Sequence, residues 1–125
     1  MEPKVLVLDE PIAGLDPRGK NEIMKLIMRL KKTVSPTIIM VSHDMDNVAR
    51  YATKVAVFEN GRVLYCLPPA ELFEKSEELS TIGLDIPIAA KLAKALRLRG
   101  LSIGSAVTPE ALAAEIVRLK GERNA

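Results

Sequence analysis

Two short, mostly apolar runs that are rich in branched residues stand in the first third of the chain, Val5 to Leu8 and Thr37 to Val41. Such runs are typical of parallel strands that are buried on both faces. Between them, apolar residues recur at helical spacing from residue 23 to residue 30, and Asp16 followed by Pro17 is typical of a helix start. The pattern predicts strand, helix and strand, with the two strands parallel neighbours in an α/β sheet.

Shorter elements are predicted after Val41. Asp44 or Ser42 can cap a helix, and Asn60 with Gly61 is the strongest short-range signal for a tight β-hairpin. The predicted elements are a helix at 45–51, strands at 55–58 and 62–65, and a brief helix that begins at Pro68 and Pro69 and ends at Phe73.

The last third of the chain predicts a separate helical unit. Glu74 to Ser80 is polar and charged, so we place a linker at residues 74–82. One helix is predicted over residues 85–99, with Gly100 as its left-handed C-terminal residue, and a second over 108–120, ending before Gly121. We expect their apolar stripes to face each other or a partner; these are Ile88, Leu92 and Leu96, then Leu112, Ile116 and Leu119.

Composition narrows the possible classes of function. The chain is 48% hydrophobic with a net charge of +2, no basic run and only four aromatic residues (two Tyr, two Phe), which argues against nucleic-acid binding. The single cysteine, Cys66, cannot form an internal disulfide, and a reducing compartment fits it best. No apolar run approaches the roughly 20 residues that span a bilayer, so we expect no direct membrane insertion.

Ionisable residues follow both predicted buried strands. Asp9 and Glu10 end the first strand and His43 follows the second, and the carboxyl ends of neighbouring parallel strands share one crevice. Asp9 suits Mg²⁺, a hard cation that prefers oxygen ligands, and Glu10 suits a general base that orients water. His43 could donate a hydrogen bond to a terminal phosphate. Taken singly each signal is weak, because acids after a strand often end in a solvated turn.

The combination of motifs is far more specific. Residues 5–11 (VLVLDEP), 13–17 (AGLDP) and 41–44 (VSHD) resemble, in order and spacing, the Walker B, D-loop and switch-histidine motifs of the ABC ATPase superfamily. The resemblance implies Asp9 for Mg²⁺, Glu10 as general base and His43 on the γ-phosphate of ATP. It also implies that Asp16, which reads equally as a helix N-cap, reaches across a nucleotide-sandwich dimer. Ile12 departs from the family's usual threonine or serine.

Several motifs of that superfamily do not occur in the sequence. The phosphate-binding loop, the glutamine loop and the Leu-Ser-Gly-Gly-Gln signature are missing, and in the family all three lie upstream of Walker B. We therefore expect the C-terminal part of a P-loop NTPase (RecA-like) sheet with flanking helices, inactive alone. We expect Met1 to be an internal methionine taken as a start, or a truncation point.

The tail indicates which ABC ATPases the chain resembles. Residues 83–87 (GLDIP), Arg99-Gly100 and residues 108–112 (TPEAL) look like the C-terminal extension of energy-coupling factor (ECF) ATPases, which include cobalt and nickel transport ATPases. Residues 64–69 depart from that family. The resemblance implies ATP-driven uptake of a vitamin or metal ion. Implied partners are a second ATPase subunit, in a homo- or heterodimer, a transmembrane T component and a substrate-binding S component, with the protein on the cytoplasmic face of the membrane.

Alternative interpretations stay open. We expect residues 1–73 to belong to the nucleotide-binding domain and residues 83–125 to form a helical extension, which either dimerises or only covers the sheet edge. The chain could be a truncated interaction module that binds no ATP, or an ABC ATPase of a non-transport system. The sequence does not name a transported substrate, since another subunit selects it.

Overall fold

The computed structural model describes residues 4–34 and 36–123, without the side chain of Arg123. It contains two compact units, Met1–His43 and Asp44–Ala125. Each unit contains both helices and strands.

The first unit consists of β1 (Val5–Asp9), α1 (Pro17–Val34) and β2 (Thr37–Val41). The two strands are parallel and in register from Val5 opposite Thr37 to Asp9 opposite Val41. The predicted order of strand, helix and strand is therefore confirmed. The start of α1 is also as predicted, because the Asp16 Oδ1 atom accepts a hydrogen bond of 2.7 Å from the backbone N–H of Gly19.

Burial of both strands on both faces was a wrong expectation for this chain. Val5, Val7, Ile39 and Val41 share one face of the sheet and are each at least 50% exposed, whereas the alternate positions are half-buried. The physical reason is that α1 is the only helix in the described part of this unit, and a single helix can cover only one face of a sheet.

The second unit begins with α2 (Met45–Tyr51), followed by the antiparallel hairpin of β3 (Val55–Glu59) and β4 (Arg62–Leu67). Asn60 and Gly61 have φ values of +50° and +75°, the left-handed pair that a tight hairpin turn of type I′ requires, so the predicted hairpin is confirmed. Asp44 caps α2, since its Oδ1 accepts a 3.1 Å hydrogen bond from the Asn47 N–H.

Two short helices, α3 (Pro69–Leu72) and α4 (Ser76–Thr81), come next. We expected a linker at residues 74–82, yet α4 lies within it and Leu79 is only 1% exposed. Leu79 belongs to the main hydrophobic cluster of this unit, together with Phe73 and Ile86. One buried leucine anchors the segment, and the charged residues around it, which suggested a linker, lie on its solvent side.

The unit ends with α5 (Ile88–Leu98) and α6 (Pro109–Arg123). Gly100 ends the α5 turn as predicted, with φ +90° and a 3.0 Å hydrogen bond from its N–H to the Arg97 carbonyl. The expected end of α6 before Gly121 was wrong, because the helix continues to Arg123. The last four backbone carbonyls of a helix have no partner within it and can bind water instead. A single glycine in this exposed last turn therefore does not end the helix.

The expected apolar stripes are only partly correct. The small residues Ala89 and Ala93 of α5, not Ile88 and Leu92, form a buried cluster with Leu112 of α6. Ile88, Leu92 and Ile116 are exposed, whereas Leu96 and Leu119 pack at the edge of that cluster. Alanine has a small side chain, so it allows two helices to pack closely. The prediction looked for large aliphatic residues and therefore missed a contact made by alanines. No helix within residues 4–34 and 36–123 is long and apolar enough to cross a membrane.

Candidate active site

The strand register of the first unit brings the predicted site residues to one edge of the sheet. Asp9 is the last residue of β1 and stands opposite Val41, the last residue of β2. One residue further, the Glu10 backbone N–H donates a 2.8 Å hydrogen bond to the Val41 carbonyl. Since Glu10 leaves β1 beside the end of β2, its side chain can reach the residues that follow Val41.

Glu10 and His43 are joined directly. The Glu10 Oε1 atom lies 2.6 Å from the His43 Nδ1 atom, in a pair whose side chains are 31% and 80% exposed respectively. A carboxylate that accepts from Nδ1–H fixes the plane of the imidazole ring and directs the Nε2 atom away from Glu10. The ring can then donate from Nε2 to an anion only when both nitrogens carry protons, and the adjacent Glu10 carboxylate balances that charge.

The backbone of Glu10 is in an unusual conformation. Its φ of +48° lies in the left-handed region, which residues with a Cβ atom adopt only at a cost. The Glu10 carbonyl accepts a 3.2 Å hydrogen bond from the Ala13 N–H, which closes a tight turn after β1. This turn directs the carboxylate to His43, and a strained residue at such a position is typical of functional sites.

Ile12 is anchored in this turn and is only 1% exposed. The sequence marked Ile12 as a departure from the hydroxyl-bearing residue usual at this position of the motif. An isoleucine cannot supply a side-chain hydrogen bond, but its buried side chain fixes the turn that follows Glu10 by packing instead. The turn that carries the carboxylate is therefore held without a hydroxyl at position 12.

Asp9 stands exposed at the end of β1, beside Glu10. Within residues 4–34 and 36–123, no group of three or more His, Cys, Asp or Glu side chains gathers to hold a metal ion. A single exposed carboxylate fits Mg²⁺ only as one ligand among several, because this ion keeps several waters and takes further oxygens from substrate phosphates. Asp9 is chemically suited to Mg²⁺ that arrives with a nucleotide.

Asp16 is engaged at the start of α1. Its Oδ1 caps the Gly19 N–H at 2.7 Å, and a Cβ atom on residue 19 would lie only 2.9 Å from that oxygen. Glycine at position 19 therefore leaves room for the cap. The structure thus joins Glu10 to His43, places Asp9 at the same sheet edge, and gives Asp16 its capping contact; whether Asp16 also crosses to another subunit stays a prediction.

Sequence reasoning missed the charged contacts that stabilise the C-terminal helices. Arg50 of α2 binds both carboxylate oxygens of Glu110 at 3.1 Å, and Arg118 binds Glu115 at 2.6 Å and Glu122 at 2.8 Å. Hydrogen bonding to Arg118, and then to the Gly104 N–H, lowers the pKa of Glu115. Spacing of three and four residues signals the pairs within α6, but no sequence pattern connects position 50 to position 110.

Comparison with known proteins gives a consistent picture, although no protein-family model matches the chain. The energy-coupling factor transporter ATP-binding protein EcfA2 of Symbiobacterium thermophilum is 48% identical over 127 residues, covering 100% of this chain. The EcfA2 proteins of Caldanaerobacter subterraneus and Bacillus thuringiensis are 42% and 41% identical, covering 99% and 95% of the chain. The chain spans only 41% to 44% of the length of these relatives.

A solved structure also resembles this one. It is CbiO1 from Clostridium perfringens, described as part of the ABC transporter complex CbiONQ. The likeness has a TM-score of 0.54 and 47% sequence identity, and it covers 65% of this chain and 32% of the other. This neighbour confirms the predicted fold class, a partial P-loop sheet with flanking helices.

Proposed function

Because the chain is the counterpart of the C-terminal part of energy-coupling factor transporter ATP-binding proteins, we propose that it completes the hydrolysis site of such an ATPase. The observation that carries the proposal is the pair formed by Glu10 and His43 at the carboxyl ends of two parallel strands, with a distance of 2.6 Å between Oε1 and Nδ1. The proposed activity is ATP hydrolysis that drives uptake through a membrane transporter.

Each residue at the sheet edge has a role in this proposal. Asp9 would be one oxygen ligand of the Mg²⁺ that accompanies ATP, and the bound ion would supply neutralisation of the phosphate charge. Glu10 accepts a proton from the attacking water and orients it toward the γ-phosphate. His43, held through Nδ1 by Glu10, presents Nε2 to a γ-phosphate oxygen. The hydrogen bond between the two side chains means that loss of either misplaces the other.

The proposed assembly is the one that the resemblance to energy-coupling factor ATPases implies. Asp16 would reach a second ATPase subunit, identical or not, and transmembrane T and S components would complete the transporter. The chain would then act on the cytoplasmic face of the membrane, through these partners. The proposed cargo is a vitamin or a metal ion such as cobalt or nickel, and another subunit selects it. The CbiO1 neighbour, part of an ABC transporter complex, supports an assembly of this type.

The sequence of 125 residues contains no Gly-x-x-x-x-Gly-Lys-Ser/Thr loop. Backbone amides and the lysine of that loop provide most phosphate contacts in P-loop ATPases. The isolated chain should therefore not hydrolyse ATP, and a test of Glu10 needs those contacts restored. For the test, a restored subunit joins the chain to a preceding segment of an ABC ATPase that carries such a loop.

The test compares phosphate release by this restored subunit with that of Glu10→Gln. Loss of a general base should lower the rate about 10²-fold or more while ATP still binds. Glu22→Gln is the matched control, because Glu22 is an exposed glutamate of α1 that pairs with Arg18 at 3.3 Å. Equal rates in Glu10→Gln and the parent would remove Glu10 from the proposed role.

A second candidate function is that of a dimerisation module. Leu92 and Ile116 are 47% and 44% exposed, and Ile88 on the same helix as Leu92 is more exposed still. Aliphatic side chains of this size are worth about 1.5 to 3 kcal/mol each when fully buried, before association costs, so a contact between two tails could hold without nucleotide.

Sedimentation velocity tests this second candidate. The chain should dimerise at tens of micromolar, and replacing Leu92 and Ile116 by aspartate should give monomers with an intact fold, because the charges would be unpaired in the contact. A parent chain that stays monomeric under these conditions would refute dimerisation through the tail.

A further inference from the structure

A groove runs along α5 in the second unit. It consists of two cavities of about 260 and 310 Å³, and Ile86, Lys94 and Leu98 line both of them. Ala90, Lys94 and Leu98 are spaced by four residues, so they share one face of α5 and extend about 12 Å along its axis. The two cavities are therefore parts of one surface feature that is centred on Lys94.

The floor of the groove is apolar and belongs to the cores of the unit. Phe73, Ile86 and Ala90 are members of the main hydrophobic cluster, and Ala106 belongs to the cluster between α5 and α6. Leu98, at the end of α5, is 81% exposed and forms an apolar wall of both cavities. A ligand with a hydrocarbon body would cover Leu98 and remove apolar surface from water.

The charges around the groove are not balanced. Lys91 lies 2.6 Å from Asp85, and Arg97 lies 3.4 Å from Glu74. The Lys94 Nζ atom, by contrast, donates to the Ser76 hydroxyl at 2.5 Å, and within the described residues no carboxylate forms an ion pair with it. Among the residues that the structure describes, Lys94 is therefore the groove cation that has no charged partner. The two carboxylates that line the groove, Glu74 and Asp85, are each paired with another cation.

The contact between Arg97 and Glu74 is long, with 3.5 and 3.4 Å between Nη2 and the two carboxylate oxygens, and Glu74 also accepts a hydrogen bond from the Ser105 hydroxyl. A second anion near Arg97 could share its guanidinium without displacing Glu74 completely. The groove thus offers one unpaired ammonium group, one partly satisfied guanidinium group and an apolar floor.

Drug-sized ligands occupy pockets of about 300 to 1,000 Å³, so cavities of about 260 and 310 Å³ suit a smaller molecule.

We propose that this groove binds a small organic carboxylate, with its carboxylate on Lys94 and its hydrocarbon body on the floor beside Leu98. The carboxylate would replace the Ser76 hydroxyl as the partner of Lys94, because a carboxylate adds the attraction between two opposite charges to the hydrogen bond, whereas the hydroxyl is neutral. The site uses none of Asp9, Glu10, Asp16 and His43, so it does not depend on the proposed ATPase function.

The test uses hexanoate as the probe and ¹H–¹⁵N NMR spectra of the full chain as the readout. Hexanoate should shift the amides around residues 73–76, 86 and 90–98 in a saturable way. Hexan-1-ol, which has the same six-carbon chain without the charge, should bind at least about tenfold more weakly. Absence of saturable shifts in the groove at tens of millimolar hexanoate would overturn the proposal.

Two pairs of variants separate the parts of the site. Lys94→Met should weaken hexanoate binding about tenfold or more, whereas Lys91→Met should leave it within about twofold, because Lys91 already pairs with Asp85. Leu98→Ser removes the exposed wall without opening the core and should also weaken binding, unlike the control Val117→Ser on exposed α6 surface. Equal affinities within either pair, or shifts that reflect only self-association of the chain, would contradict the proposal.

Discussion

Replacing Glu10 by alanine and by glycine separates the cost of its backbone conformation from the effect of its side chain. Both variants remove the carboxylate and its hydrogen bond to His43, so that loss cancels when the two are compared. They differ only in the Cβ atom, which at a φ of +48° is the source of the strain.

The left-handed conformation costs a residue with a Cβ atom about 1 to 2 kcal/mol. Glycine avoids this cost, but its greater conformational freedom in the unfolded chain offsets part of the gain in stability. Glu10→Gly should therefore be more stable than Glu10→Ala by about 1 kcal/mol. The assay is hydrogen exchange of the β1 and β2 amides, because it reports the free energy of opening of the unit that contains Glu10.

Glu22 provides the matched control. It is an exposed glutamate inside α1, where the backbone is helical and glycine is less favourable than alanine by about 1 kcal/mol. Glu22→Gly should therefore be less stable than Glu22→Ala, the opposite order from position 10. If alanine is as stable as glycine at position 10, the backbone there is not strained and the account of the turn is wrong.

Three further predictions concern the second unit and the isolated chain. Gly104→Ala should lower the urea midpoint, because its Cβ atom would displace the Glu115 oxygen that accepts from the Gly104 N–H and so break that hydrogen bond, whereas Gly121→Ala in α6 should raise it. The pKa of Glu115 is lowered from 4.5 in the folded chain, so its contribution to stability is present above pH 4.5 and is lost as the pH falls through the folded pKa. Urea unfolding from pH 6 to pH 3 should therefore show a smaller fall in stability for Glu115→Gln than for the parent chain. Isothermal calorimetry of the isolated chain should detect no micromolar binding of Mg-ATP, and such binding would contradict the need for the phosphate loop.

The sequence predicted best those features that a short pattern or a topological rule determines. Asn60 and Gly61 predict their turn because few residues adopt two consecutive positive φ angles. The approach of Glu10 to His43 follows from the parallel order of β1 and β2, since Glu10 is the first residue after β1 and His43 is the second residue after β2.

The features that could not be predicted depend on partners distant in sequence. Ala89 and Ala93 are buried because Leu112 packs on them, and alanines give little hydrophobic signal by themselves. Leu79 is buried within a charged segment for the same reason. The sequence predicts that Glu10 and His43 lie close together, but it does not predict the hydrogen bond between them. That bond depends on the positive φ of Glu10, which the sequence Asp-Glu-Pro does not reveal.

The most direct test of the central claim is a double-mutant cycle of Glu10→Gln and His43→Ala in the restored subunit, read as the rate of phosphate release. If the two side chains act as one unit, the double variant should be about as slow as the slower single variant, because residues in one catalytic network are far from additive. Rate losses that simply multiply would mean that Glu10 and His43 act independently, and would contradict a site built on their hydrogen bond.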